Sequence, residues 1–255
     1  MQTYQPENAK FIGRVRDANL LPEPRTVAAV EGGCQLLKPT SVFCSPECDV
    51  SAEVCSMAGV CVPKPALHSV GTVTVSGVGT EDMVLEPMSA TNPIYQPGSV
   101  PFPPCSEGDT VTVSAAGADY PAFTVATPCV QPLEVVEDVI DMAPNQDASF
   151  TTNAPAQTGQ SRILINVDIS HHGGFKGEIV CDLPDTGTVT IPANLVTQLI
   201  ELGWAGYPSL TVTRVSSAVA SVDTGQVELA IESVVYKAIS LPGLVSCTED
   251  SHCVQ

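Results

Sequence analysis

The chain has 255 residues, 44% hydrophobic and only 15% charged, which is enough apolar material for one large or two modest folding units of roughly 100–200 residues. Its 10 Lys and Arg stand against 28 Asp and Glu, a formal charge of −18. Nucleic acid is excluded as a partner, because a phosphate backbone needs a Lys/Arg stripe to displace its counterions, and an anionic membrane surface is disfavoured for the same reason.

Residues 1–33 hold Pro22, Pro24 and the brief apolar runs Phe11-Ile12-Gly13 and Val27-Ala28-Ala29-Val30. They read as an extended N-terminal arm with one short strand, lying across the body of the protein. The first seven residues show neither a basic nor an apolar leader region, and no run of 18 apolar residues occurs anywhere. A spanning helix is therefore not expected, while a removed signal or lipid anchor fits the cysteine content of the chain.

Cys34, Cys44, Cys48, Cys55 and Cys61 crowd residues 34–65 with little apolar material between them, and Cys105, Cys129, Cys181, Cys247 and Cys253 are spread beyond. A segment so poor in hydrophobes orders itself through cross-links, which points to disulfides and an oxidising compartment outside the cytosol. Zinc is the weaker reading, since Cys44-x3-Cys48 has no matching second pair, and the Cys-x2-Cys-His of a c-type haem is absent. Among many possible connectivities, interlocking favours Cys44 with Cys55 and Cys48 with Cys61. Short loops favour Cys105 with Cys129 and Cys247 with Cys253, leaving Cys34 for Cys181.

After Val62-Pro63-Lys64-Pro65, a stiff spacer, the pattern turns to alternation. Residues 70–75 and 110–114 place β-branched residues at every second position, and 122–126 begins another strand, so 66–132 is expected to form a first antiparallel β-sandwich stapled by Cys105 and Cys129. Residues 162–169, 178–182, 186–191, 209–215 and 226–231 give five further strands for a second sandwich over 133–244. One segment, 192–202, has helical period, with Pro192 suited to its start and Gly203 to its stop. Trp204 and Tyr207 just beyond it are expected to seal a core edge. Residues 245–255 are expected to form a C-terminal disulfide loop. The fold class is all-β: two antiparallel sandwiches of immunoglobulin-like or jelly-roll-like type, preceded by a small disulfide-rich knot, with one short helix.

Several stretches, taken together, carry a resemblance: Cys44-Ser45-Pro46-Glu47-Cys48 with Gly59-Val60-Cys61-Val62-Pro63, the strand at 70–77, the stretch 108–123, and Ile179-Val180-Cys181-Asp182 leading to Pro192. Over residues 34–240 the chain resembles exported, often lipid-anchored β-sandwich proteins of myxobacterial and related cell envelopes. The resemblance implies export and a surface location, and it transfers no site residue.

Three constellations could carry chemistry. Asp168 and His171 meet at the turn 170–174, where one member of the His171-His172 pair can share a face with Asp168 for a metal or a catalytic role. Asp182 and Asp185, with Thr186 and Gly187, make an oxygen-rich turn of the kind calcium takes, and equally an ordinary Asx-rich turn. Glu134, Glu137, Asp138, Asp141 and Asp147 form an acidic run that reads as a solvated linker. No linear catalytic motif is present. Paired carboxylates need no motif, although 5% aromatic content argues against a sugar-stacking cleft.

The reading is thus a non-enzymatic extracellular or cell-surface protein for adhesion, ligand binding or envelope structure. Its expected partners are a protein or glycan at a cell surface, or further copies of itself, and calcium is the one cofactor its acidic loops offer to hold. The alternatives are a secreted hydrolase near His171 and Asp168, and a subunit that self-assembles by exchanging its arm or an edge strand.

Overall fold

The computed structural model describes residues 8–18, 24–170, 174–222 and 225–243. In chain order they form β1 (Val15–Arg16), β2 (Arg25–Glu31), β3 (Cys34–Pro39), β4 (Glu53–Cys55), β5 (Cys61–Pro63), β6 (Leu67–His68), β7 (Val73–Ser76) and β8 (Met83–Leu85). Next come β9 (Thr110–Ala115), β10 (Phe123–Pro128), β11 (Val139–Asp141), β12 (Ala148–Thr151), β13 (Arg162–Asp168), β14 (Glu178–Pro184) and β15 (Thr188–Ile191). The single helix α1 (Ala193–Glu201) then leads to β16 (Ser209–Val222) and β17 (Gly225–Ser240). The fold is all-β with one short helix, and its strands pack as β-sandwich layers.

The larger layer is a seven-stranded sheet in the order β11-β17-β16-β13-β14-β3-β2. Its strands read as alternation because one face is buried. Ile163, Ile165 and Val167 of β13, Ile179 and Cys181 of β14, and Leu210 and Val212 of β16 point into one core. Opposite them, the two-stranded sheet β12-β15 contributes Ala148, Phe150, Val189 and Ile191, and α1 contributes Leu195, Val196 and Leu199. The helix starts at Pro192 and stops at Gly203, whose φ of 77° is the left-handed cap that glycine supplies. The Asp147 carboxylate accepts the Ala193 N–H at 2.7 Å, so one acid of the acidic run sits at the positive end of α1.

The smaller layer is the four-stranded sheet β10-β9-β7-β8, whose Val73, Val75, Val111, Val113 and Val125 face a second core. At Gly77 (φ 83°) the chain leaves β7 so close to β9 that a Cβ would stand 2.3 Å from the Thr110 carbonyl oxygen. Only glycine fits there. Across this core lie Tyr95, whose hydroxyl accepts the Val70 N–H at 2.9 Å, and Phe11 and Val15 from the N-terminal segment.

The rest of that opposing layer comes from a ribbon. β16 and β17 stay paired from Ser209↔Ala238 to Val222↔Gly225. Because side chains alternate with period two, one face of β16 presents residues 210 to 220 in even steps. Leu210 and Val212 enter the larger core, while Ala218 and Ala220, with Val227, Leu229 and Ile231 of β17, pack against the smaller one. Between them, on the same face, come Arg214 and Ser216, both buried. The Ser216 hydroxyl shares a 2.8 Å hydrogen bond with that of Thr127 on β10.

Three expectations change. Residues 25–39, which the sequence divides between arm and knot, form a hairpin through Gly32 and Gly33 that adds β3 to β14 and leaves β2 as the sheet edge. The acidic run is not wholly a linker: Ile140 of β11 is buried, and β11 pairs in parallel with β17. Trp204 and Tyr207 do not seal the core edge, being 39% and 74% exposed. Leu199 of the helix is buried in the larger core instead, with Leu202, just past the helix, packed against it.

Candidate functional site

At the end of β13, Asp168 stands directly opposite Glu178 of β14, so two carboxylates share a face. Like charges in that position repel. The repulsion is relieved by an arginine from the sheet edge: Arg25 Nη1 donates to Glu178 Oε1, and Asn166 Nδ2 donates to Oε2 at 2.7 Å. The Arg25 guanidinium also lies over the Phe175 ring, 4.6 Å from its centroid. Asp168 Oδ1 accepts the backbone N–H of Ser170 at 2.8 Å and its hydroxyl at 3.1 Å, and the Ser170 hydroxyl accepts the Lys176 N–H. His171 lies outside the described residues, as does His172. Chemically the Arg25–Glu178 pair is a compensated charge that fastens the 25–39 hairpin to the sheet. Buried Glu178 gave no signal in the sequence, because its partner Arg25 is 153 positions away.

The expected acidic turn at 182–187 divides, because β14 runs on to Pro184 and takes Asp182 into the strand while Asp185 lies beyond it. Asp182 is exposed and paired with Arg162. Asp185 turns inward, and the carboxylate that the sequence offered to calcium is taken by protein donors: Arg214 Nε at 2.6 Å, Arg214 Nη2 at 3.3 Å and the Ser161 hydroxyl at 2.7 Å. Arg214 is only 1% exposed. Its remaining N–H groups reach the Asn153 side-chain oxygen at 3.1 Å, the Asn153 carbonyl and the Pro132 carbonyl. A buried guanidinium needs this complete set of acceptors to offset its desolvation. The network therefore holds the chain at Pro132, between β10 and β11, against the ribbon.

The sulfur atoms make four bridges: Cys34–Cys181, Cys44–Cys55, Cys48–Cys61 and Cys105–Cys129. Three of these are the pairs favoured by interlocking and loop length, and Cys34–Cys181 is the pair left over. Cys247 and Cys253 lie outside the described residues. Cys34 and Cys181 are register partners on β3 and β14, buried in the larger core. Among the described residues, one set of three potential metal ligands comes within 4.8 Å, the sulfurs of Cys44, Cys48 and Cys61. All three are bridged, whereas the thiolate is the ligand form.

The concavities on the described surface include two near these features. One of about 360 Å³ lies over Leu164, Val180, Gln35 and Asp182 on the outer face of the large sheet. The other, about 450 Å³, lies beside the Cys105–Cys129 bridge and includes Glu107, Asp109 and Pro132. Sequence reasoning also missed a set of exposed apolar side chains on the knot, Phe43, Val50, Met57 and Val60. The signal was available: these are large hydrophobes in a bridged segment too small to bury them.

No protein-family model matches the chain, and no curated protein matches it. Among solved structures, a crystal structure of the chicken CNTN1 FN1-FN3 domains aligns over 87% of this chain and 67% of the other, at 8% identity and a TM-score of 0.21. A likeness at that level carries nothing about function. No helix among the described residues is long and apolar enough to cross a membrane.

Proposed function

We propose that the protein is a non-enzymatic module of the cell exterior that works by binding, in adhesion, ligand capture or envelope structure. One observation supports this above the others: every described cysteine is bridged. Structural disulfides persist where glutathione does not reduce them, so this chemistry belongs outside the cytosol. The bridges brace three separate places, namely the knot, the hairpin on the large sheet and the loop before β9. With both cores closed by one ribbon face, the result is a stiff scaffold suited to holding loops and a knot in fixed positions for a protein or glycan partner.

Protease treatment of intact producing cells tests the reading. The protein is expected to be cut on intact cells, with its cytosolic neighbours spared. Protection until the cells are lysed, with free thiols in the recovered protein, would overturn it. Turnover of a glycoside or ester by the purified chain, lost on Asp168→Asn, would favour the hydrolase instead.

A further inference from the structure

The knot exposes side chains that its own size cannot bury. Phe43 is 85% exposed and Val50 82%, with Met57 and Val60 each more than half exposed. Each lies within two residues of a bridged cysteine: Phe43 beside Cys44, Val50 after Cys48, Met57 after Cys55 and Val60 beside Cys61. Phe43 and the turn at 56–60 are neighbours, since a Cβ on Gly59 would meet the Phe43 carbonyl oxygen at 3.5 Å. That turn is fixed by Ser56 N–H to the Val60 carbonyl at 2.9 Å and by Gly59 N–H to the Ser56 carbonyl at 2.9 Å. On the other side Lys64 Nζ donates to the Val50 carbonyl, and the Glu53 N–H donates to that of Asp49. A backbone pinned by two bridges and these turns cannot swing the four side chains inward. Their contact with water is a standing cost that a partner's cleft would remove.

Charge narrows the partner. Residues 40–65 carry Glu47, Asp49 and Glu53 against Lys64 alone. The Ser51 hydroxyl and backbone N–H hold the Asp49 carboxyl below its ordinary range, so it remains an anion into mild acid. An anionic bilayer is repelled by these carboxylates, and a second copy of this chain, at −18, is a poor source of a basic rim. We infer that the part of the knot formed by Phe43 and the turn carrying Met57 and Val60 is the docking surface for a protein partner whose apolar cleft is rimmed by Lys or Arg. This rests on reading the protein as a surface binding module.

The test uses the labelled full-length chain on intact cells of the producing organism, alongside vesicles of phosphatidylcholine with phosphatidylglycerol. The wild type binds cells saturably, and more weakly as salt rises. Pre-digestion of the cells with protease abolishes the binding, and the vesicles stay bare. Phe43→Ser with Val60→Ser weakens the apparent Kd roughly tenfold or more, as loss of an interface hot spot does, while thermal unfolding is unchanged because both side chains are exposed. Glu47→Lys weakens binding and flattens its salt dependence. Equal binding by wild type and the serine variant overturns the docking surface and leaves the surface-module reading standing. Protease-resistant binding with matching attachment to vesicles overturns it in favour of lipid. A wild type that binds nothing on the cells also overturns the docking surface, and protease exposure of the protein on its own cells decides the surface-module reading separately.

Discussion

Arg214 and Asp185, 29 positions apart in sequence, meet as a buried ion pair at the level of the ribbon where one core gives way to the other. A strand face that runs through two apolar cores needs a polar join where the chain segment at Pro132 must be caught, and the guanidinium supplies it by reaching Asp185, Asn153 and Pro132 together. Removing one partner leaves the other charge buried alone. Arg214→Met or Asp185→Leu should each lower stability by about 3–5 kcal/mol, while the double replacement should lose clearly less than the sum. Urea unfolding of the four proteins in a double-mutant cycle measures this, and additive losses would contradict the pairing.

The bridges should differ in what they stabilise. Cys34–Cys181 closes a loop of 147 positions inside the larger core, so Cys34→Ala with Cys181→Ala should cost about 2–5 kcal/mol of global stability. Cys44→Ala with Cys55→Ala should loosen only the knot, raising amide exchange in residues 44–61 while strands β13 and β16 keep their protection. Equal global losses from the two pairs would show that the knot is part of a cooperative core.

Thr152 is buried, and its hydroxyl has no hydrogen-bond partner. Thr152→Val keeps the shape and removes the unsatisfied group. It should be neutral or stabilising by about 1 kcal/mol, read from the denaturation midpoint. A loss of that size would mean the hydroxyl is satisfied in solution.

Asp49 gives a pH prediction with a definite sign. Its side-chain bond from the Ser51 hydroxyl, joined by the Ser51 N–H, lowers its pKa from the ordinary 3.8. A depressed folded value favours the folded knot above the unfolded pKa, and this contribution fades as pH falls through the folded value. Titration of the Asp49 carboxyl by NMR should show a midpoint under 3.8, moving upward in Ser51→Ala. A midpoint at or above the ordinary value in the wild type would contradict the bond.

The strands with valine or isoleucine at alternate positions, such as β7, β9 and β13, were legible because each buries one face of a sheet. The helix was legible from Pro192, its apolar spacing and Gly203. The hairpin at 25–39 was not, because edge strand β2 is exposed along most of its length and so lacks the alternation that burial imposes. The distal ribbon was missed for a related reason: small residues such as Ala218 and Ala220 pack on the smaller core without a strong hydrophobic signal. At the candidate sites, Asp185 and Glu178 looked like oxygen ligands or went unnoticed, since their fates were set by Arg214 and Arg25, which the chain brings in from far away. Spacing pointed to the two pairs of the knot and to Cys105–Cys129 because crowding leaves few short closures, whereas Cys34–Cys181, 147 positions apart, was reached only by elimination.

Covalent closure is the property on which stability, location and the docking tip all depend, and mass mapping of the protein recovered from its own cells under non-reducing alkylation tests it directly. Cross-linked peptides joining Cys34 to Cys181, Cys44 to Cys55, Cys48 to Cys61 and Cys105 to Cys129 are the predicted result. Alkylation of most of these thiols would contradict it and return the chain to the reducing interior of the cell.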